Sequence, residues 1–286
     1  MKIGVVFPQT EFGDDPAAIK EFAQTAEAIG YSHVLVYDHV LGAVHANRGP
    51  RLTGPYTEET PFHEPFVLFG FWAGVTTKIE LVSGVIILPQ RQTALVAKQC
   101  AEIDILSGGR LRLGVGTGWN YVEYDSLGEN FHNRGKRQEE QIALLRKLWS
   151  EPVVDYTGKY HRIDRAGLKP LPGRQIPIWM GGFSEVAYRR AARLADGFIF
   201  GGATPDALAG LATVRGELTK QGRDASTFGV EAMVNYQAGP EHWRDHVETW
   251  RNAGATHVSV RSMGAGLNGP RAHIEMLQRY WDAVHG

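Results

Sequence analysis

IELVSGVIILPQRQTALVAKQCAEIDILSGGRLRLGVG, residues 79–116, reads as strand, helix, strand. The aliphatic run of 79–88 stops at Pro89, and 93–106 carries neither glycine nor proline. Gly108 and Gly109 follow, suited to a left-handed helix end, and 111–116 opens a second short apolar run. A sheet core explains the aliphatic residues. It explains neither the glycine at position 84 nor the polar tip Gln90–Arg91–Gln92.

The same alternation runs through the chain. Strand candidates are 2–7, 33–37, 79–88, 111–116, 176–181, 197–201, 228–234 and 257–261, with amphipathic stretches such as 15–30, 134–149, 184–196 and 241–254 between them. Eight such units predict an α/β fold, a parallel (β/α)8 TIM barrel with rim insertions. A length of 286 residues suits one large barrel as well as two average domains. No linker or composition shift divides it, so residues 1–286 are expected to form one domain. Two stretches exceed a minimal barrel. Residues 41–64, LGAVHANRGPRLTGPYTEETPFHE, are longer than most connections and read as an active-site lid loop. Residues 152–164, containing VVDYTGKYHRID, read as a rim hairpin turning at Thr-Gly-Lys.

Composition narrows the partners. Apolar residues make up 43%, charged residues 21%, and the net charge is -1, so no basic excess draws nucleic acid or an acidic membrane surface. A small molecule is the expected partner. Cys100, the single cysteine, rules out an intramolecular disulfide and a cysteine zinc site, and is expected as a small core residue. The apolar run in MKIGVVFPQT is too short for a signal segment, and no stretch approaches ~18 apolar residues. A cytoplasmic protein is expected.

In a barrel of this kind the residues just after each strand build the site. Strand 1 ends in Phe7-Pro8-Gln9 and the eleven histidines are scattered, so no metal site is expected. The paired carboxylates of a glycosidase are missing too. Glycines dominate instead: Gly116 and Gly118, Gly181 and Gly182, Gly201 and Gly202, beside Trp119 and Phe183. They either make tight turns or let a ligand approach the backbone. Ser184 is a candidate N-cap, and a helix N-terminus seats phosphate. The set points to a planar cofactor bearing a phosphate.

Taken together, residues 88–120, 134–149 and 167–198 resemble the luciferase-like monooxygenase superfamily, most closely its branch of coenzyme F420-dependent oxidoreductases. The resemblance implies a barrel that binds a flavin or 5-deazaflavin at its C-terminal rim, commonly as a homodimer. It implies a non-prolyl cis peptide at Gly84-Val85, pressed on the middle ring of the cofactor, with Gln90 and Arg91 as rim groups nearby. It places Gly181, Gly182, Phe183 and Ser184 at the phosphate. Asp38-His39 matches the catalytic pair, with His39 exchanging a proton as hydride moves, or else held structurally by Asp38. Where sugar-phosphate dehydrogenases of the superfamily carry a glutamate, this chain has Trp119, which argues against that substrate. The expected activity is hydride transfer between reduced F420 and a small organic substrate. Alternatives are an FMN-dependent monooxygenase using oxygen and a non-catalytic flavin-binding barrel.

Overall fold

The computed structural model describes residues 1–201 and 205–286. In chain order the elements are β1 (Lys2–Val6), α1 (Pro16–Ile29), β2 (His33–Val36), α2 (Pro65–Val75), β3 (Glu80–Ser83), β4 (Ile86–Ile87), α3 (Thr93–Leu106) and β5 (Leu111–Gly116). They continue with α4 (Tyr121–Ser126), α5 (Arg134–Ser150), β6 (Val154–Thr157), β7 (Arg162–Ala166), β8 (Ile178–Gly181), α6 (Glu185–Leu194) and β9 (Gly197–Phe200). Then come α7 (Pro205–Lys220), β10 (Gly229–Asn235), α8 (Pro240–Asn252), β11 (His257–Arg261) and α9 (Gly269–His285).

Parallel pairing runs β1-β2-β3-β5-β8-β9-β10-β11 and returns to β1, which closes an eight-stranded barrel. The predicted fold is the observed one. Local chemistry fixes the helix ends: Asp15 caps α1 by accepting from the Ala17 N–H, Pro16 opens it, and Gly30 at φ 116° closes it. Outside the barrel, β6 and β7 pair antiparallel, and the turn between them is fastened to α5. There the Glu140 carboxylate accepts from the backbone N–H groups of Lys159, Tyr160 and His161. Cys100 is fully buried in the helix–strand core, where burial pushes its thiol up. Among the described residues no helix is long and apolar enough to cross a membrane.

The third strand departs from the prediction of one run over 79–88. It stops at Ser83, resumes for two residues at Ile86, and passes into a 3-10 turn at Leu88–Gln90. Val82 pairs with Arg112 and Ile86 with Val115, so four steps on one strand match three on β5. One residue bulges out. Ser83 spans the break, its hydroxyl donating to Gly114 O and accepting from Gly114 N–H. The Gly84-Val85 peptide within the bulge is cis.

Inside, the barrel has two storeys. Val6, Leu35, Val82, Ile199 and Met233 form the apolar upper one with Trp179. Below them the Glu231 carboxylate, fully buried, meets His33 Nε2 at 2.8 Å and Arg112 Nη1 at 2.6 Å, while Ser259 donates to the same carboxylate. Arg112 also reaches Glu80 and lies over the Trp179 ring. Burial alone would raise the Glu231 carboxyl, but His33 and Arg112 hold it well below the usual carboxylate range. Burial, together with Arg112 and His33, lowers neighbouring His257 to about 2.

Both groups make the protein sensitive to acid. Unfolded His257 takes a proton below pH ~6.5 and the folded residue does not, so its share of stability is lost progressively as pH falls from that value toward about 2. Glu231 adds a second loss below pH ~4.5, where the unfolded carboxyl protonates first. Denaturant melts from pH 7.5 to 5 are expected to show stability falling by up to ~1.4 kcal/mol per pH unit from the histidine. His257→Gln should flatten that slope; an identical slope in the variant would remove His257 as its source.

Candidate cofactor site

A cavity of ≈ 340 Å³ opens at the C-terminal ends of β4, β5, β8 and β9. Its size is at the lower end of small-molecule sites. A larger surface depression of ≈ 730 Å³, between Gly49–Pro50 and the 121–132 segment, includes no barrel strand tip.

Val85 stands at the centre of the cavity wall. A Cβ on Gly116 would fall 2.5 Å from one Val85 methyl, and one on Gly181 would fall 2.9 Å from the other. These two glycines therefore clear space for the ledge side chain and leave bare backbone beside it. Gly118, at φ 64°, presses on Ile87 and needs its left-handed conformation. At the far end Ser184 caps α6, its hydroxyl accepting from Ala187 N–H, and leaves the preceding N–H groups of that helix free to meet an anion.

Ten of the eleven sequence-predicted cofactor residues line this one cavity: Gly84, Val85, Gly116, Gly118, Trp119, Gly181, Gly182, Phe183, Ser184 and Gly201. Gly202 lies outside the described residues. Bare backbone, a ledge and a helix N-terminus along one wall fit a flat ring with an anionic tail.

Asp38 and His39 do not border the cavity, and they are not paired with each other. Asp38 is buried, its Oδ2 accepting from Ile87 N–H at 2.9 Å and its Oδ1 from Arg91 Nη2 at 2.7 Å. It fastens β4 beyond the bulge. Arg91 also bonds Glu64, so it ties the end of the 41–64 loop to the barrel rather than reaching the cavity, and Gln90 is buried. His39 is held instead by Glu123, whose Oε2 lies 3.1 Å from Nδ1 and whose Oε1 accepts from the N–H groups of Val40 and Leu41. A carboxylate at Nδ1 orients the ring and favours that nitrogen as the donor. The His39 ring packs 5.6 Å from Trp119, which does line the cavity.

The 41–64 loop lies across Trp119. Gly54 abuts the indole, which would collide with any Cβ there, and the His45 ring stands 6.0 Å away. Tyr121 donates to Pro50 O, and Asn120 to Leu41 O. Beyond Met233 on the opposite wall, Tyr37 donates to its sulfur, and burial pushes that phenol up while Arg261 pulls it back.

Family membership rests on a match over nearly the whole chain. Residues 1–281 fit the family model described as luciferase-like monooxygenase. The chain belongs to that luciferase-like family. An uncharacterized protein of Mycobacterium tuberculosis is 34% identical over 215 residues, 74% of each chain. The FMNH2-dependent dimethylsulfone monooxygenase of Pseudomonas fluorescens is 31% identical over 186 residues, 64% of this chain and 47% of the other. The F420-dependent glucose-6-phosphate dehydrogenase of Segniliparus rotundus is 29% identical over 255 residues, 85% of this chain and 70% of the other. The luciferase-like family thus includes enzymes of both cofactor types.

Within this luciferase-like barrel, Glu123, Gln138, Arg190 and Met233 escaped the sequence reading. Glu123 had a signal: Asn120 and Glu123 stand at capping-box spacing, and Asn120 does cap α4 by accepting from Val122 N–H. The glutamate turns away from the cap to His39.

Proposed function

We propose that this protein is a two-electron oxidoreductase that uses coenzyme F420 to transfer hydride to or from a small organic substrate. The observation that carries the reading is the cavity wall: side-chain-free backbone at Gly116 and Gly181, the Val85 ledge between them, and the α6 N-terminus at one end. The deazaflavin is preferred because residues 88–120, 134–149 and 167–198 resemble the F420-dependent branch, and an F420-dependent relative matches over 255 residues. Trp119 in the glutamate position argues against a sugar phosphate as substrate.

When bound, reduced deazaflavin supplies a hydride, whereas reduced FMN reacts with oxygen, so the cofactor sets the reaction class. The chain's own residues do the rest. Val85 and its glycine neighbours support the ring, and the free N–H groups of α6 meet the phosphate. His39 moves a proton at Nε2 while Glu123 holds its Nδ1–H. The 41–64 loop acts as a lid that keeps water from the substrate. In the same reading two copies associate: α2 carries no charge and turns Val67 and Phe71 to solvent.

Titration of apo-protein with F420 and with FMN, followed by fluorescence, tests the assignment. F420 is expected to bind at micromolar concentration or below and FMN more weakly. Tight FMN binding with no response to F420 would replace this reading with the FMN-dependent monooxygenase.

A further inference from the structure

One side chain in the cavity has no task in the fold. Gln138, on α5, is fully buried and lines the cavity, and among the described residues neither its Oε1 nor its Nε2 has a hydrogen-bond partner. One turn further along the helix, Gln141 is equally buried, yet its amide nitrogen donates to Leu88 O, Arg91 O and Thr93 Oγ1. Gln141 Oε1 and both ends of Gln90 are also without a partner among the described residues, but of these three glutamines only Gln138 lines the cavity. A buried carboxamide with both ends open is costly unless something outside the chain completes it.

We propose that Gln138 binds the hydroxylated chain of the cofactor, between its ring and its phosphate, and so sets the affinity for that tail. This rests on reading the cavity as a flavin or deazaflavin site. The chemistry matches: a carboxamide donates at Nε2 and accepts at Oε1, and a hydroxyl does both, so each open end has a counterpart on a polyol. The placement matches as well. Helix α5 packs against the 3-10 turn that follows the ledge and also against α6, which carries the phosphate end. Among the described residues Arg190 of α6 is the one charged residue lining the cavity, and Glu139, next to Gln138, accepts from its Nε at 2.9 Å. The polyol, held by Gln138, and the anion, beside Arg190 and the α6 N-terminus, would occupy consecutive stations.

The test uses three ligands in whichever ring series the wild type binds: the ring with a methyl at N10, the ring with ribityl, and the ring with phosphorylated ribityl. Affinities are read by fluorescence for wild type, Gln138→Leu, Gln138→Met and Arg190→Gln. Both Gln138 variants are expected to weaken the two ribityl ligands about tenfold and leave the methyl ligand unchanged. Arg190→Gln should weaken only the phosphorylated one. Because an open amide is replaced by an apolar group of similar size, the Gln138 variants should melt no lower than wild type. Equal weakening of all three ligands, or unchanged binding of all three, would overturn the assignment of Gln138. Wild type binding no ligand of either series would instead defeat the parent reading of the cavity.

Discussion

Glu231→Ala is expected to lose about 3–5 kcal/mol of stability, enough to leave much of the protein unfolded at 37 °C. The carboxylate sits fully buried between His33 and Arg112, and its removal leaves the buried Arg112 with Glu80 as its one remaining carboxylate and His33 Nε2 with Ser259 alone. Water has little room to enter there. Gly4 lies directly over the His33 ring, and Gly197 and Gly229 over Trp179, all so closely that any Cβ would collide. Urea melts of wild type and variant measure the effect. A loss below ~1 kcal/mol would show that the plug is hydrated or relaxes, contrary to the packed geometry.

His39→Ala is expected to reduce turnover about 10²–10⁴-fold while leaving cofactor affinity near wild type, since the ring stands behind Trp119 and outside the cavity wall. Glu123→Gln keeps a hydrogen bond to Nδ1 but removes the charge. It should therefore give a smaller loss and shift the pH profile of turnover. Steady-state rates and cofactor titrations on both variants separate these effects. Undiminished turnover in His39→Ala across a broad substrate panel would point to the non-catalytic flavin-binding barrel instead.

The barrel was legible in sequence because strand and helix periodicities differ, and all eight strand candidates overlap barrel strands of the structure. The break in the third strand was not. Val85 to Leu88 keep strand composition throughout, and the interruption is imposed by partners distant in sequence: Asp38 capturing Ile87 N–H and Ser83 bridging to Gly114. The glycines were read as marking the cofactor site, and all of them but Gly202, which lies outside the described residues, line one cavity. The spacing alone gave no hint that Gly116 and Gly181 are required by a valine rather than by a ligand alone. Gln138 was hidden for a different reason. In RGKRQEEQIALLRKLW it is one polar residue among many, and only packing against the 88–90 turn and α6 shows that this one is inside. The charged plug left a fainter mark, a histidine or charged residue within each of four strands, His33, Arg112, Glu231 and His257, which a search confined to the C-terminal strand ends passes over.

The valine between two glycines makes three strands answer to one another. Positions 85, 116 and 181 share a single volume, so a methyl added at either glycine must be met by a smaller residue at 85, and the effects of such changes will not add. That face of the cavity varies only as a set. Trp119, on another part of the wall, is tied in the same way to Gly54 of the 41–64 loop, where a Cβ would fall 2.0 Å from the indole, so those two positions also change together. Diversification of substrate, by natural drift or in the laboratory, therefore has to proceed by coupled changes at these positions rather than by single ones.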